Sequence, residues 1–405
     1  MDSEKCILVL HKGKGHIIER CLQFRDYEFV FISTVPLVLH DNLKDFQLVS
    51  SLSDETEVLQ AAAQLMNQYR ITHVVPTTES VVLTAGIIRD IYQLHGPGFH
   101  ISLMFTNKLV MKRKLNSAVL TPKVWLLREF INQIGENACN EKFIIKSIAG
   151  SSSVGVKAVS GREIVSGNHK NTEAKIIEEA VQVKNEYHCD VLVRGRRIIF
   201  YAVSRYLRPV LSAVGDYHGA VHLSMDNPAI IPIRRIVENM IRHSGIEDAV
   251  FHIEIMETED TLLFGEAAIR PGGGGVADSI HFTFNVDLWD EHFRLLLGLP
   301  PGTQEHVPAD NSPYVYGFCG LPAREGRITN MISRENLLAF SEIYAVQQKY
   351  SPGQIVKRKI ASVHFAYIIY FKCSSEHRVY ELIDEVMEKY YIVTDSFDKQ
   401  EVDAF

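Results

Sequence analysis

The residues most open to chemical reading lie between Phe251 and Arg270. Phe251-His252-Ile253-Glu254-Ile255-Met256 and Leu262-Leu263-Phe264-Gly265-Glu266-Ala267-Ala268-Ile269-Arg270 are apolar, alternating runs separated by the polar stretch Glu257-Thr258-Glu259-Asp260-Thr261. Two such runs around a short polar turn predict a β-hairpin. A three-residue loop centred on Asp260 makes Glu254 and Glu266 direct partners, with Cβ atoms ~5 Å apart on one face. Alternation puts Ala268 and Arg270 on that face with Glu266. Facing carboxylates repel unless a cation lies between them. Magnesium favours a few carboxylate oxygens together with phosphates and water, so the pair suits a metal seat beneath a nucleotide triphosphate. The same residues also fit a solvent-facing acidic hairpin with Glu257, Glu259 and Asp260 as companions. A two-residue loop would shift the register and separate the two glutamates.

What surrounds the hairpin favours the metal seat. Arg270-Pro271-Gly272-Gly273-Gly274-Gly275 follows at once. Glycines cost backbone entropy and suit a loop whose N–H groups approach an anion, with Gly272, Gly273 and Gly274 available to a substrate. Arg270 offers a guanidinium to a carboxylate or a developing oxyanion. Upstream, the strand-like Phe143-Ile144-Ile145-Lys146 runs into Ser147-Ile148-Ala149-Gly150-Ser151-Ser152-Ser153-Val154-Gly155. Its small residues can fold over phosphates, or form a plain surface hairpin. Neither G-x-x-x-x-G-K-[ST] nor G-x-G-x-x-G is present. Lys175-Ile176-Ile177-Glu178-Glu179-Ala180-Val181 reads either as an edge strand with a solvated end or as a hinge that could read an adenine. Glu79, in Thr77-Thr78-Glu79-Ser80, could meet an ammonium group or simply favour a helix N-terminus. Arg205 and Arg208 could bind a substrate carboxylate or be strand-surface charges. His188 and Asp190 alternate on one strand with Glu186 and read as structural.

The bulk of the chain sets limits. Its 405 residues predict two or three domains, and 46% apolar with 22% charged residues is ordinary for a globular protein. A formal charge of −7 offers no basic excess for a general nucleic-acid partner. The six cysteines form no C-x-x-C pair, which fits reduced, buried thiols in the cytoplasm. The apolar run Cys6–Leu10 is too short for a secretory leader, and no run approaches the ~20 residues of a membrane span. The one H-x-x-x-H spacing among the seventeen histidines, His218 to His222, falls in the region read as strands and turns rather than on a helix, so catalytic zinc is not expected.

The elements that must position these residues alternate strand and helix at the start: strands near 6–10, 29–32 and 73–75, helices over 17–25, 54–69 and 81–94. That order predicts a parallel sheet. A basic helix follows over 107–117. Strands and turns dominate from Phe143 to about Ile280, with a helix at 233–244. Pro300-Pro301-Gly302 opens a linker reaching Pro313. The tail alternates strands (314–321, 361–371) with helices (334–343, 376–390).

Taken in order, these parts resemble the ATP-grasp superfamily. The resemblance rests on Asn107-Lys108, the strand lysine Lys146, the small-residue loop Ser151–Gly155, the acidic hinge Glu178–Val181, Glu186, the Glu254/Glu266 pair and the Arg-Pro-Gly-Gly segment. It implies a three-lobed α/β fold: an N-terminal Rossmann-like parallel-sheet domain (1–106), a central ATP-grasp domain (107–303) with a small lid over about 120–183, and a C-terminal α+β lobe (304–405). It further implies that Lys108 and Lys146 contact the phosphates of ATP and that Ser151, Ser152, Ser153 and Gly155 close over them. Glu178 and the backbone of Glu179, Ala180 and Val181 would hold adenine, and Glu186 the ribose. Glu254 and Glu266 would hold one or two Mg2+, with Mn2+ as an alternative. Arg270, with Lys146, would serve catalysis. The implied reaction activates a carboxylate, that of an amino acid by likeness to dipeptide-forming and carnosine-synthase-like members, as an acyl phosphate and joins it to an amine. Ligation to a carrier-protein thiol, a carboxylase-type reaction and a non-catalytic nucleotide-binding regulator are the alternatives. Expected partners are small-molecule substrates, a carrier protein for the thiol reading, and a second copy in a homodimer; neither nucleic acid nor membrane is expected. Two departures stand out: the family's E-x-N-x-R reads Glu266-Ala267-Ala268-Ile269-Arg270, so the asparagine is Ala268, and the common lysine-proline is Lys146-Ser147.

Overall fold

The computed structural model describes residues 5–13, 15–134, 140–150, 155–167, 174–213, 215–303, 312–357 and 364–396. The apolar run at the start forms the strand Lys5–His11, flanked in parallel by Tyr27–Ser33 and Ile71–Pro76. Leu43–Leu48 adds the fourth strand, beside Tyr27–Ser33. The strand order, third-second-first-fourth, reverses between Lys5–His11 and Ile71–Pro76. In such sheets ligands approach the carboxyl ends of the strands at that reversal, and there the chain runs from Pro76 through Thr77 and Thr78 to Glu79. One face of the sheet is covered by the helices Glu55–Gln68 and Val82–Tyr92. The other packs on Ile17 and Cys21 and on Phe293, Leu296 and Leu297, which come from a distant helix and the turn after it. Arg20 pairs with Asp287 at 2.5 Å beside that contact, so the first sheet is fastened to the central region.

The central sheet has eight antiparallel strands. In spatial order they are Leu262–Ala268, Ala249–Glu257, Asn185–Arg194, Arg197–Tyr206, His218–His222, Val315–Pro322, Phe365–Cys373 and Ile343–Gln348. Strands from the C-terminal stretch thus continue the same sheet through the pairing of His218–His222 with Val315–Pro322. The helix Ile230–Ser244 packs on one face with Phe105, Met111 and Leu115. Helices Val276–Phe284 and Leu288–Leu296 pack on the other. A separate four-stranded sheet, Val124–Leu126, Lys175–Glu179, Lys142–Ser147 and Lys157–Ser160, builds a small lid on a core of Trp125, Phe130, Phe143, Ile164 and Ile177. A three-stranded sheet and the helix Glu376–Lys389 complete the C-terminal part.

Several elements differ from the expectation. The helix expected over 334–343 is only Arg334–Leu338, and Ile343 already begins a strand. Phe99–Thr106 is a helix that periodicity could not reveal, because His100, Ser102 and Thr106 do not gather on one face and leave no apolar stripe. The linker segment 304–311 and Cys139 lie outside the described residues. The other five cysteines are free and buried, as expected of reduced thiols. No helix among the described residues is long and apolar enough to cross a membrane.

The seam within the central sheet is tight. A Cβ at Gly219 would lie 2.1 Å from the Phe318 carbonyl oxygen on the neighbouring strand, and one at Gly317 2.3 Å from that of Ala220. Gly219→Ala is therefore expected to force the backbones apart and cost about 1–3 kcal/mol, read as a lower denaturant midpoint with an unchanged slope.

Candidate active site

Glu254 and Glu266 are direct partners across the ladder, although not by the expected route. The loop is four residues, Thr258–Thr261, closed by the Thr258 N–H donating to the Thr261 carbonyl at 2.9 Å. That would offset the two glutamates by one residue. A bulge at Gly265, between Phe264 and Glu266, restores the pairing. Gly265 suits the place: a Cβ there would come within 3.0 Å of the Glu254 carbonyl oxygen. His252, Glu254, Met256, Glu266, Ala268 and Arg270 all line one cavity of about 250 Å³ between the central sheet, the lid and the first sheet.

The cavity gathers lysines as well as carboxylates. Asn107 caps the helix Lys108–Leu115 by accepting from the Val110 N–H at 3.0 Å. Lys108 Nζ lies 2.6 Å from Glu266 and donates to the Gly150 carbonyl of the lid at 2.9 Å. One turn on, Lys112 pairs with Glu178 at 3.0 Å, and Lys146 from the adjacent lid strand pairs with the other Glu178 oxygen at 2.8 Å. Burial alone would raise the Glu178 carboxyl, but the two ammonium groups outweigh it and hold it below the usual range. Burial dominates at Lys112, whose ammonium is pulled down to about 8 despite Glu178. The hairpin carboxylates divide in the same way. Burial pushes up both; Lys108 and Lys146 bring Glu266 below the ordinary carboxylate range, while the nearby charges of Glu266 and Glu186 drive Glu254 far above it.

Ser151, Ser152 and Ser153 lie outside the described residues. Gly155 sits on the exposed lid loop with φ 74°. Glu179 and Val181 line the cavity, and Ala180 lies between them. The Glu178 carboxylate, expected near adenine, is spent on two lysines. Glu186 lines the wall and accepts from the Val210 N–H at 2.8 Å. Glu79 crosses from the first sheet to pair with Arg270 at 2.5 Å, so both named substrate residues meet in the cavity. Gly273 and Gly274 line it. Gly272 lies under His252 and Val276, and a Cβ there would come within 2.8 Å of the imidazole. The glycine run then enters the N-terminus of Val276–Phe284 at the cavity wall, an end that favours anions. Arg205 is a correction. It alternates with Tyr206, which lines the cavity, and so faces away; its guanidinium pairs with Glu376 at 2.5 Å. Arg208 is likewise taken up, by Asp216 at 3.0 Å and by the ring of Tyr217.

Sequence reasoning missed Lys112, His252, Tyr206, His218 and Phe318. Lys112 could have been found four residues after Lys108 on one helix face, and His252 two residues before Glu254 on one strand face. Phe318 left no local signal, because only the pairing of distant strands brings it to the cavity.

No family model matches the chain. A curated relative, the L-arginine-specific L-amino acid ligase of Bacillus subtilis, is 28% identical over 360 residues, covering 85% of this chain and 86% of that protein. The L-amino acid ligase of Bacillus licheniformis superposes with a TM-score of 0.78 at 14% identity, over 98% of this chain and 100% of that one. The N5-carboxyaminoimidazole ribonucleotide synthetase of Thermotoga maritima gives 0.68 at 15%, over 96% and 100%. The corresponding ADP-bound synthetase of Staphylococcus aureus gives 0.65 at 13%, over 95% and 97%. The fold is that of the ATP-grasp ligases. The proteins that it resembles in sequence and in fold are ligases and synthetases, one of them holding ADP.

The confrontation of the two glutamates makes a prediction for the ligand-free protein. A carboxyl whose folded pKa is raised loses stability as pH climbs from the unfolded value to the folded one. Glu254→Gln, which cannot ionise, is expected to raise the melting temperature. The gain should grow from about pH 5 to about pH 8, and a pH-independent gain would contradict the charge confrontation.

Proposed function

We propose that the enzyme condenses two amino acids, activating the carboxylate of the first as an acyl phosphate. The observation that carries this reading is the Arg270–Glu79 ion pair in the same cavity as the facing glutamates. A guanidinium and a carboxylate side by side can open to bracket a zwitterion, Arg270 taking its carboxylate and Glu79 its ammonium. The names of the curated relative and of the Bacillus licheniformis structure support amino acids on both sides of the bond. The segments 1–106, 107–303 and 304–405 would then act as the walls that meet around the substrates.

The chemistry follows from the placement of charges. An oxygen of the donor carboxylate attacks the γ-phosphorus of ATP in line, the bond to the β-phosphate oxygen breaks, and ADP leaves. Lys108 would leave Glu266 and Lys146 would lean from Glu178 towards the phosphates, so that ammonium groups meet charge where it develops. The amine of the second amino acid then attacks the acyl carbon. Phosphate departs, and the amine proton leaves with it or to solvent. Arg270 and the helix end behind Gly273 and Gly274 are placed for the oxyanion. Adenine would rest against the backbone of Glu179–Val181, and Glu186 would reach the ribose. The lid loop around Gly155 would close over the phosphates and exclude water from the acyl phosphate.

Glu254 and Glu266 fit a divalent cation, because two buried carboxylates meeting across one ladder rung are relieved by positive charge between them. Mg2+ or Mn2+ there would neutralise the phosphates during transfer. Glu266→Gln is expected to abolish ADP release that depends on an acid substrate; near-normal turnover would sink the assignment.

The cavity wall narrows the donor. Tyr206, His218, Val276 and Phe318 form an apolar and aromatic surface. Burial pulls the His218 imidazole down to about 4, so it is neutral at physiological pH. Each described carboxylate of the cavity already has a task in this reading: Glu79 takes the ammonium, Glu254 and Glu266 the divalent cation, Glu178 the lysines, while Glu179 and Glu186 accept from backbone N–H groups. A donor with a neutral side chain is therefore favoured over arginine. With ATP, Mg2+ and hydroxylamine, neutral amino acids should yield hydroxamate and ADP at least about tenfold faster than arginine, the cost of one unpaired buried charge. AMP in place of ADP would reject the acyl phosphate. Glu79→Ala should raise KM for an amino acid far more than for its desamino analogue; equal effects would remove Glu79 from the bracket.

A further inference from the structure

The group of metal-ligand side chains found among the described residues is His188, Asp190 and His252, whose donor atoms lie within 4.8 Å of one another. Their hydrogen bonds argue against a cation among the three. Asp190 is fully buried, and each of its oxygens is taken: Oδ2 by His188 Nδ1 at 2.6 Å and Oδ1 by His252 Nδ1 at 2.9 Å. An ionised carboxylate only accepts, so His252 Nδ1 must carry the proton. Its other nitrogen, Nε2, lies 3.9 Å from Glu254 Oε1, in the wall of the cavity. A carboxylate fixing one nitrogen of an imidazole while the other faces a cavity is the usual support of a metal-bound histidine.

The hairpin supplies a reason for a further ligand. His252 stands opposite Ala268 on the ladder, one rung beyond Glu254 and Glu266 on the same face. Ala268 ends at Cβ and leaves space beside the carboxylate pair. The imidazole of His252 borders that space, and Gly272 beneath it gives the room: any Cβ there would strike Nδ1. The ring is held by Asp190 through Nδ1 and flanked by the glycine loop at Gly272.

We propose that His252, through Nε2, is a third protein ligand of the divalent cation held by Glu254 and Glu266, in the place that Ala268 leaves vacant. This rests on the metal seat argued above. Cation binding displaces whatever proton Nε2 carries. An imidazole nitrogen adds more to the affinity for a first-row transition-metal ion than for Mg2+, so His252 should widen the preference for Mn2+ over Mg2+.

The test is pulsed electron paramagnetic resonance of the full-length protein with Mn2+ and ADP. Wild type should show a 14N coupling that becomes a 15N coupling when only histidine is 15N-labelled, which separates imidazole from adenine. His252→Ala should retain Mn2+ but lose that coupling, with affinity about 10- to 100-fold weaker and a smaller Mn2+/Mg2+ ratio. Adding Ala268→Asn to His252→Ala should recover affinity without recovering the coupling. Mn2+ that binds wild type with no histidine coupling, while Glu266→Gln abolishes binding, overturns the role of His252 and leaves the seat standing. Mn2+ binding unaffected by Glu266→Gln overturns the seat and the proposal together. A coupling that persists in a folded His252→Ala protein overturns the assignment to His252.

Discussion

Everything in the cavity answers to one electrostatic constraint, the meeting of Glu254 and Glu266 on one rung of a buried ladder. Without a counter-ion the chain resolves it internally. Lys108 covers Glu266, and Glu254 is driven towards its neutral form. Lys108 also reaches the lid at Gly150, so the same ammonium group that quiets the glutamate tethers the lid. In the proposed reaction, phosphates and a cation at the pair would give that ammonium a stronger partner and free it from the Gly150 carbonyl, so that substrate binding and lid position would be linked through one side chain.

The same economy holds for the other charges. Glu178 is deeply buried and would be costly alone, yet it keeps Lys112 and Lys146 in place behind the cavity. Paired this way, the lysines are desolvated and oriented in advance, which would suit the electrostatic catalysis proposed for the cavity. Arg270 and Glu79 hold one another across the join of the first sheet and the hairpin. A zwitterion that replaces each as the other's partner would exchange charges without leaving any unpaired, so the closed ion pair lowers the cost of an empty cavity.

The hairpin was legible because strand alternation and the polar turn restrict register to a few choices. The pairing of the two glutamates follows from the sequence, but the means does not: a four-residue loop and a bulge at Gly265 cancel, and nothing in local composition distinguishes that from a three-residue loop. The first sheet and its helices were legible for the same reason of period. The sequence leaves Arg205 open between a substrate contact and a surface charge because alternation there has no anchor; only the observed placement of Tyr206 on the cavity side tells which way it points. The aromatic wall was invisible because Phe318 reaches it through strand pairing nearly a hundred residues removed from its partner. Long-range pairing is the information that a single sequence does not carry in its local pattern.

Ala268 shows how the two kinds of information combine. By pattern it is a departure, an absent amide at a position where a cation needs oxygen. By register it faces His252, and by packing His252 is fixed from Asp190 and from Gly272. A lone alanine in that place would leave a polar cavity short of a donor. An alanine opposite a braced imidazole makes room for one. Gly272, read from the sequence as part of an anion-approaching loop, is needed for close approach, because the side chain that it accommodates belongs to the strand that carries Glu254. Loop, strand pair and buried carboxylate therefore constrain the same atom, His252 Nε2, and in the proposed seat a change at any one of them would alter what the glutamate pair can hold.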